Sequence, residues 1–175
     1  MPHSHHKQLA GSPSELSVRG NYLQVQICQV ALRATVKQYD YSDEIQQLTL
    51  LEAIYSNLWE HRLKANSETP LLIDSDGFQH SAKYLGDEAF VKKSPRMKRG
   101  IRVPPVADVI EGSAKSRGWI AFEELKSSVV PHRLIFRTNI FSPGETSGYV
   151  EHSETLELIF DLSVFSHLLK DKTST

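Results

Sequence analysis

Apolar and polar positions alternate from Tyr22 onward in "YLQVQICQVALRATV". Leu23, Val25 and Ile27 share one parity, and Val30, Leu32, Ala34 and Val36 share the other. A period of two marks a strand with one buried face. The change of parity at Cys28-Gln29 predicts a bulge there, or a break into two short strands. Cys28 itself reads as a small packed hydrophobe, since no base stands near it in sequence. Further on, "GWIAFEEL", "PHRLIFR" and "LELIFDL" are short runs rich in aromatic and β-branched residues, set off by Gly, Pro and Ser. Several such runs at this spacing predict an all-β sandwich.

Two segments need closer reading. In "EIQQLTLLEAIYSNLWEHRL", Leu48, Leu51, Tyr55, Leu58 and Arg62 fall at helical spacing, and the composition favours helix. Leu48, Leu50 and Ile54 also share one strand face, with Thr49, Leu51, Ala53 and Tyr55 on the other. Periodicity leaves both readings open. "ETPLLIDSDGFQHSAKY" is clearer, because two apolar runs flank Asp-Gly, a strong hairpin signal. Its Asp74-Ser75-Asp76-Gly77 also looks like part of a calcium loop. With Gly77 as sixth residue of an EF-hand, Leu72 is first and Lys83 twelfth; with Asp74 first, Gln79 is sixth and Leu85 twelfth. Both registers lack the glutamate that the twelfth position requires. Asp-Gly here is expected to turn a corner, with Gly77 supplying the positive φ.

The ends of the chain differ from its middle. Residues 1–15 are rich in His, Ser, Pro and Gly and read as a flexible tail. His3, His5 and His6 resemble metal bait, but the amino-terminal copper motif needs the amide of residue two, and Pro2 has none. At the other end, Phe165, Leu168 and Leu169 are spaced for one or two helical turns against the body. The expected organisation is a tail at 1–15, a sandwich over 16–165 and a C-terminal tail at 166–175.

Composition narrows the function classes. The chain has 175 residues, 39% hydrophobic and 23% charged, enough for one globular domain with a core of its own. Its net charge of -1 gives no global attraction to nucleic acid or membrane. With Cys28 as the only cysteine, neither an internal disulfide nor a cysteine-based zinc cluster can form. No stretch approaches the ~20 apolar residues of a membrane span. The N-terminus lacks the apolar core of a secretory signal. A cytoplasmic protein is expected as the sequence stands, or a secreted one whose signal segment has been removed.

The order of turn motifs is familiar. "YSNLWEHRLKANSETPLLIDSDGFQHSA", followed by "EGSAKSRGWIAFEEL" and "HRLIF", resembles a family of uncharacterised immunoglobulin-like domains found in bacterial and archaeal secreted proteins and lipoproteins. Asn57, Asp74, Gly77, Gly112, Gly118 and Phe122 fill that family's turn and strand positions in order, over roughly residues 45 to 138. The chain departs from the family pattern in lacking the lipoprotein signal, in the basic stretch at 92–105 and in running on past Arg137. The resemblance implies an immunoglobulin-like β-sandwich, strand rather than helix for "QQLTLLEAIYSN", and no known enzymatic activity.

Lys92, Lys93, Arg96, Lys98, Arg99 and Arg102 lie within eleven residues with no acid among them, and could grip phosphates. They lack interleaved aromatics for base stacking, Phe90 being the one nearby, so a solvated loop is the favoured reading. Glu123 and Glu124 are adjacent on an expected strand, point to opposite faces and cannot form a catalytic dyad with each other. His61, His80, His132, His152 and His167 are scattered without metal-ligand spacing, and no nucleophile elbow or phosphate loop occurs. Trp59 and Trp119 read as packing residues. The expectation is a non-catalytic binding or structural module, with no cofactor or metal and with an unknown protein as partner. The alternatives are a polyanion or nucleic-acid binder through 92–102 and, last, a small hydrolase with a dispersed site.

Overall fold

Almost every described residue lies in or beside a strand. The structure is a computed structural model that describes residues 16–37, 45–91, 100–143 and 150–166. In chain order its strands are β1 (Leu16–Arg19), β2 (Leu23–Lys37), β3 (Ile45–Asn57), β4 (Leu63–Ser67), β5 (Leu71–Asp74) and β6 (Gln79–Ser81). They continue as β7 (Phe90–Val91), β8 (Ile101–Arg102), β9 (Val109–Ile110), β10 (Lys115–Glu123), β11 (Pro131–Pro143) and β12 (Val150–Asp161). A 3-10 turn, Ser163–Phe165, follows. Residues 1–15 and Leu168 and Leu169, for which a tail and helical turns were expected, lie outside the described residues.

Two long strands organise two antiparallel sheets in the same way. In the first sheet, β2 carries β3 along one edge, while the other edge is shared by β1 at its start and β7 at its end. β10 extends this sheet beyond β3, and β8 extends it beyond β7. In the second sheet, β11 carries β12 along one edge and shares the other between β5 and β4. β6 and β9 then flank β5 and β4. The result is the all-β sandwich that the run of short aromatic and β-branched segments predicted. Residues 45–57 are strand, so their burial on both faces overrides their helical propensity.

The main core lies between the sheets. Leu23, Val25 and Ile27 of β2, Leu51 and Ala53 of β3 and Phe122 of β10 meet Leu72, Leu134, Ile140, Leu158 and Phe160 of the opposing sheet. Each of these larger side chains contributes about 1.5–3 kcal/mol on removal from water. The predicted bulge is present, since the β2–β3 register shifts between Ile27 and Gln29 and keeps Val30 facing inward after the parity change.

A second bulge was not visible. The register shifts again between Ala31 and Ala34, where Arg33 adopts φ 52°. Ala34 and Val36, expected to continue the face of Val30, are thereby turned to the outer side of the first sheet. There they join Leu48, Leu50 and Ala121 beneath Leu85, Ala89 and Val103, forming a smaller second core. In the described part of the segment expected as loop at 92–105, Val103 contributes to this cover, and Ile101–Arg102 form β8.

Candidate functional site

Of the six basic residues singled out in sequence, Lys92, Lys93, Arg96, Lys98 and Arg99 lie outside the described residues. Arg102 is on β8, where its guanidinium donates to the Asp87 carbonyl at 2.8 Å and approaches Glu88 at 3.6 Å.

The turn after β5 is built by Asp74. Asp74 is 4% exposed, and its Oδ1 accepts the backbone N–H groups of Asp76 at 2.9 Å and Phe78 at 3.0 Å. Its N–H donates to the Phe78 carbonyl at 3.0 Å, its carbonyl accepts Gly77 N–H at 3.0 Å, and Gly77 sits at φ +88°. The expected hairpin forms, with Leu72 opposite His80 and Ile73 opposite Gln79. Gly77 holds the one backbone position in this turn that an L side chain would resist.

A polar cluster grows out of this turn. His80 projects from β6 with its Nε2 2.8 Å from Asp74 Oδ2 and its Nδ1 2.7 Å from Glu123 Oε1. Glu123 ends β10, so the imidazole joins the β5–β6 hairpin of one sheet to the last strand of the other. A backbone hydrogen bond from Lys83 N–H to the Ala121 carbonyl, 2.7 Å, makes the same crossing. Burial opposes charge on His80, but its hydrogen bonds to the two carboxylates outweigh burial and raise its pKa above the ordinary 6.5. Burial likewise opposes ionisation of Asp74, yet the His80 contact and the two backbone N–H donors lower its pKa below 3.8.

Sequence reasoning missed this cluster. Asp74 and His80 both lie in the hairpin that it flagged, but Glu123 is reached only through the meeting of two sheet edges. Glu124 was expected on the same strand as Glu123 but lies just past the end of β10, with its carboxylate 3.6 Å from Arg33 Nε. Two other described histidines take different partners, with His61 beside Glu60 and edge-on to Trp59, and His152 on Thr155. Among the described residues no group of three His, Cys, Asp or Glu has the arrangement to hold a metal ion.

At the end of β3, in the other sheet, Asn57 ties two turns together. It is 4% exposed, its Nδ2 donates to the carbonyls of His61, Ile110 and Glu111, and its Oδ1 accepts Trp59 N–H at 2.9 Å. Gly112 lies so close that a Cβ there would come within 2.0 Å of the Glu60 carbonyl oxygen. Gly118 plays a similar part on β10, where a Cβ would come within 2.2 Å of Val106 N. The segment passing over it receives Trp119 N–H on the Pro104 carbonyl at 2.9 Å and covers that edge of β10. Across the core, burial pushes the Tyr55 hydroxyl up to about 12, against a smaller downward pull from its hydrogen bond with Ser67. Ser67 also meets Thr138.

The fold and this cluster define a two-sheet β-sandwich whose edges are fastened by buried polar side chains. No protein-family model matches the chain, and no curated protein matches it. Among solved structures it is similar to a putative lipoprotein, YcdA, from Bacillus subtilis subsp. subtilis str. 168, at 17% identity and a TM-score of 0.40. That likeness covers 93% of this chain and 43% of the other, so the chain spans less than half the length of that protein.

Proposed function

We propose that the chain is a non-catalytic binding or structural module, an immunoglobulin-like domain of the uncharacterised family its turn motifs resemble. One observation carries this reading. In the cluster that looks most like chemistry, both ring nitrogens of His80 are within 2.8 Å of a carboxylate, and Asp74 Oδ1 is taken up by two backbone amides. A general base or metal ligand needs a lone pair free for its substrate or ion, and while both contacts are made by a doubly donating ring, His80 has none to offer. The family positions support the same reading. Asn57, Asp74, Gly77, Gly112 and Gly118 sit where a turn or a close approach requires them, and Phe122 is fully buried.

Chromogenic ester and phosphate substrates test the proposal against a dispersed hydrolase. The wild type is expected to show no turnover above buffer. Turnover abolished by His80→Gln or Asp74→Asn would make the cluster catalytic and sink the reading. The second reading, a polyanion binder, keeps its footing in six cations and no acid across residues 92–102. Fluorescence anisotropy with a labelled oligonucleotide decides it. Sub-micromolar binding that weakens steeply with salt, and is lost when Lys92, Lys93, Lys98 and Arg99 are neutralised, would favour the rival.

A further inference from the structure

The two contacts of His80 constrain its protons. A neutral imidazole has one N–H and one lone pair. Here both nitrogens face a carboxylate oxygen, Nε2 at 2.8 Å from Asp74 and Nδ1 at 2.7 Å from Glu123. Two ionised carboxylates can be satisfied at those distances only if both nitrogens donate, which requires the imidazolium. When the proton leaves, one nitrogen turns a lone pair on an anionic oxygen, and that contact must open.

The surroundings decide which one. Asp74 is 4% exposed, so solvent has little access to replace a lost donor, whereas the Glu123 side chain is 56% exposed and can turn to solvent. Leaving a buried carboxylate unpaired costs more than leaving an exposed one. The remaining N–H therefore stays on Nε2, toward Asp74. The charged groups acting on the ring are Asp74 from β5 and Glu123 from β10. On its own strand Gln79 and Ser81 are uncharged, and Lys83 is the next cation along. From β11, His132 and Arg133 act on Asp161 instead. Beside Glu123, Glu124 is paired with Arg33.

We propose that His80 is a protonation-controlled latch between the two sheets: charged, it clips the β5–β6 hairpin to β10, and neutral, it keeps Asp74 and releases Glu123. The link between sheets then rests at this edge on the Lys83 to Ala121 hydrogen bond. Because the His80 pKa is raised by folding, the latch's stabilisation is fully present below the ordinary 6.5 and is lost as pH rises through the higher folded value. At the acid end it is lost as pH falls through the lowered value of Asp74.

Nitrogen-15 NMR of the imidazole, with amide hydrogen exchange corrected for intrinsic rates, tests this on the full chain. The expected record has a His80 midpoint above 6.5, both nitrogens protonated below it and the Nε2–H tautomer above it. Across the midpoint, protection of the Lys83 amide should fall about tenfold, the scale of one charge-assisted hydrogen bond. The Asp76 and Phe78 amides should keep theirs. Glu123→Gln, at an exposed position, should lower the midpoint and remove the pH dependence at Lys83. A midpoint at or below 6.5, an Nδ1–H tautomer, or Lys83 protection equal on both sides in the wild type would overturn the proposal.

Discussion

Thr49 and Asn57 are polar side chains buried on the same strand, β3, and their substitutions should move stability in opposite directions. The Thr49 hydroxyl has no hydrogen-bond partner among the described residues, so Thr49→Val should stabilise by about 1 kcal/mol as that desolvation penalty disappears. Asn57→Ala instead strands the carbonyls of Ile110 and Glu111 and the Trp59 amide, and should cost about 3 kcal/mol. Urea denaturation of the two variants checks both signs. Asp161 supplies a third prediction. Hydrogen bonds from the Ser163 backbone and hydroxyl lower its pKa below 3.8. Its contribution is therefore present above that value and lost as pH falls through the lower folded one. Asp161→Asn should flatten the acid side of the stability profile measured by thermal melts between about pH 5 and pH 2. The need for an asparagine and an aspartate at 57 and 74 was legible through the resemblance. Their partners were not, because Asn57 reaches carbonyls more than fifty residues away.

Among the elements, legibility depended on whether a change of face left a mark on the apolar pattern. At Cys28 the bulge keeps one face buried, so the parity of apolar residues shifts and the sequence betrays it. At Leu32-Arg33 the bulge moves the strand from one core to the other, and both sides are apolar at the same parity. The pattern runs on unbroken and hides the turn-over. The hairpin at Asp74 was plain because Asp-Gly chemistry is local, whereas β3 needed the resemblance to decide against its own propensity. The hidden bulge makes a prediction. Arg33 sits at φ 52°, where glycine fits and a β-branched residue is strained. Arg33→Gly should stay within about 1 kcal/mol of wild type, since the Glu124 pair it loses is exposed, while Arg33→Val should cost about 1–2 kcal/mol. Equal effects in denaturant titrations would show that the left-handed residue is misplaced.

The whole molecule is a sandwich fastened by polar contacts at its edges, with a second core laid on the outside of one sheet. Neutralising Lys92, Lys93, Lys98 and Arg99 should leave its stability within about 0.5 kcal/mol if they are solvated surface cations, which thermal melts of the variant will show. The cluster at Asp74 bears more directly on what the protein is. Side chains kept for a ligand or a reaction are commonly held at some cost to stability, so removing them leaves a protein as stable or more so. Side chains that fasten a fold behave the other way. Chemical denaturation of Asp74→Ala near neutral pH is therefore the decisive measurement. Loss of the carboxylate strands two backbone amides and the His80 ring, and the account predicts destabilisation by about 3 kcal/mol or more. Stability unchanged or raised would contradict it, and would mean that the cluster is kept for chemistry rather than for the fold.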